Sequence, residues 1–149
     1  MWPWILLALA AIVAIAAYAR SRSSRRAAAA ELQRRALNAY AAAMGLHDEA
    51  AVLPMTTDAD RTRLLTEVSS RLDTVTGEFD ALASDPGLHE ASAEIAELQT
   101  SLGNLRGAVQ AQVDAGGIDP DLLRTRLSDL DGALQRFHAR LVPPPAGPG

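Results

Sequence analysis

Residues 65–82 read LTEVSSRLDTVTGEFDAL. Leu65, Val68, Leu72, Val75, Phe79 and Leu82 recur at 3-4-3-4-3 spacing. Every other position in the stretch is polar or charged, apart from Gly77 and Ala81. An α-helix places residues three and four apart on one face, so this pattern predicts a helix with a single apolar seam. A seam of this heptad kind has to be buried against other helices. Thr57 and Asp60 upstream suggest a capping-box variant, with Asp58 suited to the positive end of the helix dipole. Ser84-Asp85-Pro86-Gly87 stops the run.

The same grammar recurs on both sides. Asp85 followed by Pro86 reads as an N-cap with proline at the first helical position. The seam behind it is Leu88, Ala91, Ile95, Leu98, Leu102, Leu105 and Val109, and Gly116-Gly117 supplies a left-handed stop. Asp119 and Pro120 repeat the opening for Leu123, Leu127, Leu130, Leu134, Phe137 and Leu141. Upstream, Leu32, Ala36, Ala39, Ala43, Leu46, Ala50 and Leu53 form a fourth stripe that ends at Pro54. The expected fold is all-α, an antiparallel up-down-up-down four-helix bundle over 27–142, with helices about 27–53, 58–84, 86–115 and 120–141. Because the first seam is mostly alanine, a long helix beside a three-helix bundle is the rival. Residues 143–149, VPPPAGPG with the preceding Val142, predict a Pro/Gly-rich extended tail, and Pro145 and Pro148 stand at P-x-x-P spacing.

At the other end, Met1–Ala19 reads MWPWILLALAAIVAIAAYA without a charged side chain. Such a stretch predicts a membrane-spanning anchor over 1–19, with Trp2, Trp4 and Tyr18 at headgroup level. Nothing between Ala19 and Ala27 breaks a helix strongly, so the first helix of the bundle is expected to run on from it. Basic residues beside a span stay cytoplasmic, and here they all follow it. The expectation is therefore a single pass through a bacterial cell membrane, N-terminus outside and helical domain in the cytoplasm. Ala17-Tyr18-Ala19 also fits a signal-peptidase pattern, and cleavage there would give an exported or cell-surface domain with a binding or sensing role. Arg20, Arg22, Arg25 and Arg26 form a basic segment over 20–26 and are candidate contacts for anionic lipid.

Composition narrows the function. All fourteen basic residues are arginine, in a chain rich in alanine. Such a bias suits a GC-rich bacterial genome. Aromatics make up only 4%, so the core has to come from Leu, Val, Ile and Ala. There is no cysteine, which excludes disulfides and thiolate metal sites. Residues 27–149 hold ten arginines and all eighteen acids, a net charge of −8. A domain that acidic repels a phosphate backbone, so nucleic acid is not an expected partner.

Chemistry finds little purchase. His47, His89 and His138 are the only imidazoles. A di-iron bundle needs Glu-x-x-His on two helices, but Met44, Pro86 and Gln135 stand three positions before these histidines. Glu90, Glu94 and Glu97 read as a solvated stripe beside the third seam. No phosphate-binding glycine loop follows a strand. Gly103 and Gly107 have GxxxG spacing, but Asn104 and Arg106 between them exclude a lipid-facing pair. The chain is thus expected to be no enzyme, with no cofactor, metal or small-molecule substrate. Its expected partners are membrane lipid through residues 1–26 and an unknown protein, or a second copy, through helix faces. An apolar leading segment, arginines, then helices is a layout that resembles the LemA-type membrane proteins of bacteria, in architecture and not in any residue.

Overall fold

A computed structural model describes residues 2–143 and 147, with the backbone alone for residues 2–7. Among the described residues the chain is all-helical, with four α-helices and no strand, consistent with a helical bundle. The helices are α1 (Trp2–Ala51), α2 (Asp58–Ala83), α3 (Ser92–Ala115) and α4 (Pro120–Leu141). Single 3-10 segments, Leu53–Met55 and Pro86–Ala91, precede α2 and α3. The chain divides into two compact units, Met1–Arg35 and Ala36–Gly149.

The second unit holds the core. All six seam residues of α2 are buried, from Leu65 to Leu82. On α1 the buried set is Ala36, Ala39, Ala43 and Leu46, then Ala50, with Leu53 just past the helix. Leu32 and Leu88, at the outer ends of their seams, are only half-buried. α3 buries Ile95, Leu98, Leu102, Leu105 and Val109, and α4 buries Leu123, Leu127, Leu130, Leu134 and Phe137. The alanine-rich stripe of α1 is thus part of the core.

Side-chain rungs between helices fix the directions. As α2 advances from Asp73 to Asp80, its partners on α3 retreat from Arg106 (2.5 Å) to Gln99 (2.7 Å), so α2 and α3 run antiparallel. Glu94 and Glu97 of α3 pair with Arg140 and Arg136 of α4, which makes these two antiparallel as well. Glu49 reaches Arg71 at 2.6 Å between α1 and α2. Tyr40 stacks on His138 with ring centroids 4.8 Å apart, joining α1 to α4. These rungs tie each helix of the second unit to two others.

Termini follow the residue chemistry. Asp119 accepts from the backbone N–H groups of Asp121 and Leu122, both at 3.1 Å, with Pro120 leading the helix. Gly116 adopts the left-handed conformation, φ 66°, and closes α3. Two starts differ from expectation. Thr57 caps α2 by position, yet its hydroxyl donates to Asp60 Oδ2 (3.1 Å) and makes no backbone cap bond. Asp85 accepts from Gly87 N–H at 2.9 Å, but the segment it opens is 3-10, and Leu88 sits at φ −107°, ψ 20°. That residue lies outside helical geometry, so α3 proper begins only at Ser92.

In the first unit α1 runs unbroken through Ser21, Ser23 and Ser24. The expected single-pass anchor over 1–19, and with it the bacterial cell membrane placement of the bundle on either side, is not upheld. Among the described residues no helix is long and apolar enough to cross a membrane. The described apolar side chains run from Ala8 to Ala19 and meet Arg20, Arg22 and Arg25 within the next six positions. The side chains of Trp2 and Trp4, expected as an interfacial belt, lie outside the described residues, as do Pro145 and Pro148.

Candidate functional site

Every side chain from Ala8 to Glu31 is exposed. Leu9, Ile12, Val13, Ile15 and Tyr18 are between 55 and 69% exposed. At 100° per residue they are distributed around the helix axis, and alanines fill the remaining angles. The surface is apolar on all sides from Ala8 to Ala19. Arg20, Arg22, Arg25 and Arg26 follow directly, all exposed. Arg22, Arg25 and Arg26 stand three and four apart and share one face, while Arg20 points away from it. No carboxylate precedes Glu31. Glu31 itself is held by Arg34, at 2.7 Å, and this hydrogen-bonded pair sets its carboxyl below the ordinary range.

The second unit carries its charges differently. Arg136 donates through Nε to Glu97 Oε2 at 3.0 Å and through Nη2 to Glu97 Oε1, a two-pronged pair. Those hydrogen bonds hold the Glu97 carboxyl below the usual carboxylate range and raise the Arg136 guanidinium. Arg140 Nε donates to the carbonyl of Glu90 at 3.0 Å and lies 3.5 Å from Glu94 Oε1. Two members of the α3 acid stripe, Glu94 and Glu97, are thus rungs to α4 and not simply a solvated face. Sequence spacing located the acids but not their partners, because Glu97 and Arg136 are 39 residues apart and only the turn register aligns them.

The histidines are scattered. His47 Nδ1 lies 3.2 Å from Asp48 Oδ1, and His138 is stacked on Tyr40. Among the described residues no group of three or more His, Cys, Asp or Glu converges in a way that would hold a metal ion. A cavity of about 480 Å³ opens between the end of α1 and the start of α4, lined by His47, Pro54, Met55, Leu123, Arg124 and Asp131. Its charged groups have other partners: Arg124 pairs with Asp121 at 2.8 Å, and Asp131 accepts from Gln135 at 2.8 Å. A second cavity, about 320 Å³, lies between the start of α2 and the end of α3 and includes Arg61 and Gln112. Gln112 is 3% exposed, and its Oε1 has no hydrogen-bond partner.

No family model matches the chain, no curated protein is significantly similar to it, and no solved structure matches it.

Proposed function

We propose that this chain is a non-enzymatic interaction module, with the leading part of α1 as its contact surface. The observation that carries this reading is the exposed apolar run of Leu9, Ile12, Val13, Ile15 and Tyr18. Each large aliphatic side chain gains about 1.5–3 kcal/mol when taken fully out of water. Contiguous exposure of several is the mark of a surface that meets something else. Elsewhere the exposed large apolar residues are Val52, Met55, Val113 and Val142, single residues at helix ends. Scattered exposure of that kind is ordinary. The second unit has its apolar seams buried and four of its eight arginines paired across helices, which suits a rigid carrier or scaffold.

The test is the behaviour of the full chain in plain buffer. Light scattering of the full chain is expected to show self-association that detergent disperses. The variant Leu9→Gln, Ile12→Gln, Ile15→Gln is expected to be monomeric without detergent. A full chain that is a monodisperse monomer, indistinguishable from the triple variant with and without detergent, and that binds no lipid vesicle overturns the reading.

A further inference from the structure

Building on the interaction-module reading, we infer that the partner of the leading part of α1 is the surface of an anionic lipid bilayer, entered from one side and not crossed. Three observations converge on this occupant. The first is geometric. Leu9, Ile12, Val13, Ile15 and Tyr18 spread over about 220° of the helix, with alanines over the rest, so a protein groove, which covers one face, would leave others in water. Hydrocarbon surrounds an inserted segment on all sides. Among the described residues no helix is long and apolar enough to cross a membrane, so the contact is with one face of the bilayer.

The second is the order of residues along the axis. Tyr18, an amphipathic ring, comes at the end of the apolar run, and Arg20, Arg22, Arg25 and Arg26 come next. A bilayer entered from one side presents the same sequence of environments in reverse, with headgroup phosphates outside hydrocarbon. Arginine matches phosphate with a planar fork of donors, and its aliphatic stem packs along the apolar boundary.

The third is charge. Residues 1–35 carry six arginines against Glu31 alone, whereas residues 36–149 carry eight arginines against seventeen acids. A second copy is the rival occupant, since its acidic bundle would attract the arginines. That bundle has its large apolar side chains buried and offers nothing continuous to cover Leu9 through Tyr18. An anionic bilayer satisfies both halves of the segment.

Co-sedimentation of the full chain with phosphatidylcholine vesicles, and with mixed phosphatidylcholine–phosphatidylglycerol vesicles, tests this at low and high salt. Binding is expected to favour the mixed vesicles and to weaken with salt. Attraction of about 1 kcal/mol per arginine corresponds to roughly fivefold in partitioning for each one removed. Arg22→Gln with Arg25→Gln is therefore expected to lower binding roughly 25-fold. Leu9→Gln with Ile12→Gln removes it. These sites lie in the Met1–Arg35 unit, so the thermal unfolding of the second unit serves as the control. Equal binding to both vesicle types overturns the anionic specificity and leaves the interaction reading intact. Self-association without vesicle binding makes a second copy the partner and has the same consequence. A monomer that binds neither vesicle removes this inference and the proposed function together.

Discussion

Phe79 of α2 and Phe137 of α4 meet edge to face, with ring centroids 5.5 Å apart and planes inclined at 74°. Both are fully buried, and they are the only phenylalanines of the chain. In a core built otherwise from Leu, Val, Ile and Ala, this contact joins helices that share no rung of charged side chains. The edge of one ring is positive and the face of the other negative, so the tilt is attractive beyond the area buried. Phe79→Ala is expected to destabilise the fold by about 3–5 kcal/mol. A double-mutant cycle of Phe79→Leu and Phe137→Leu is expected to give a coupling of about 0.5–1.5 kcal/mol. Urea denaturation of the four proteins measures it, and additive losses would mean that the rings act only as bulk.

The Glu97–Arg136 pair makes a pH-dependent contribution. Arg136's hydrogen bonds place the Glu97 pKa below its ordinary 4.5 in the folded chain. The unfolded chain then binds the proton first, so stability from this pair is fully present above about 4.5 and is lost as pH falls through the folded value. Glu97→Gln is expected to be less stable than wild type at neutral pH, by a margin that narrows in acid. Thermal melts of both proteins from pH 7 to 3 check this. Because the pair is exposed, added salt is expected to narrow the margin too.

The seams were legible because burial in helices leaves a periodic trace. Leu65 through Leu82 and Ile95 through Val109 could be assigned to the core from spacing alone, and they lie there. Pairings across helices leave no such trace. Glu94 and Glu97 looked like a solvated stripe, since nothing local to α3 marks Arg136 or Arg140 as their partners. Leu88 fits the third seam in spacing, yet the 3-10 segment after Pro86 sets it outside helical geometry and leaves it half-buried. Periodicity does not register a change of helix type over six residues. Residues 1–19 have the composition of an anchor, but among the described residues no helix is long and apolar enough to cross a membrane. For the arginines at 20–26, sequence gave their exposure-prone chemistry; the continuous helix added the shared face of Arg22, Arg25 and Arg26.

The α3–α4 corner depends on two backbone devices. Gly116 needs φ 66°, and a Cβ there would meet no other atom within 4 Å, so the cost of Gly116→Ala is conformational alone. About 1–2 kcal/mol is expected. Asp119→Ala deprives the N–H groups of Asp121 and Leu122 of their acceptor and is expected to cost about 1 kcal/mol. Asp119→Asn, which keeps an acceptor oxygen, is expected to recover most of that. Denaturant midpoints of the three variants provide the comparison.

Gln112 sits in the core of this corner at 3% exposure. Its Nε2 donates to the Asp119 carbonyl at a long 3.4 Å, and its Oε1 accepts nothing. A buried unpaired carbonyl costs about 1–3 kcal/mol, while a hydrogen bond contributes about 0.5–1.5 kcal/mol. Removing both leaves a gain. Gln112→Met, similar in length and flexible enough to fill the same space, is expected to stabilise the fold by about 1 kcal/mol. Equilibrium urea unfolding decides the sign, and a clear loss would show that the oxygen is satisfied by ordered water.

Ala36, Ala39, Ala43 and Ala50 are each at most 2% exposed, so the side of α1 that faces the core is lined mainly by methyl groups. Side chains this small bury little area individually, and their seam packs only if the neighbouring helices come close enough to leave no void. There is then no room for growth. Ala43→Leu adds three carbons at a position with no exposed surface and is expected to cost about 1–3 kcal/mol through displaced neighbours. Ala41→Leu, two residues away on the exposed face, is expected to change stability by less than about 0.5 kcal/mol. Differential scanning calorimetry of the two variants separates packing from helix propensity, since both exchange alanine for leucine in the same helix. If Ala43→Leu were as harmless as Ala41→Leu, α1 would be lying loosely on a three-helix core.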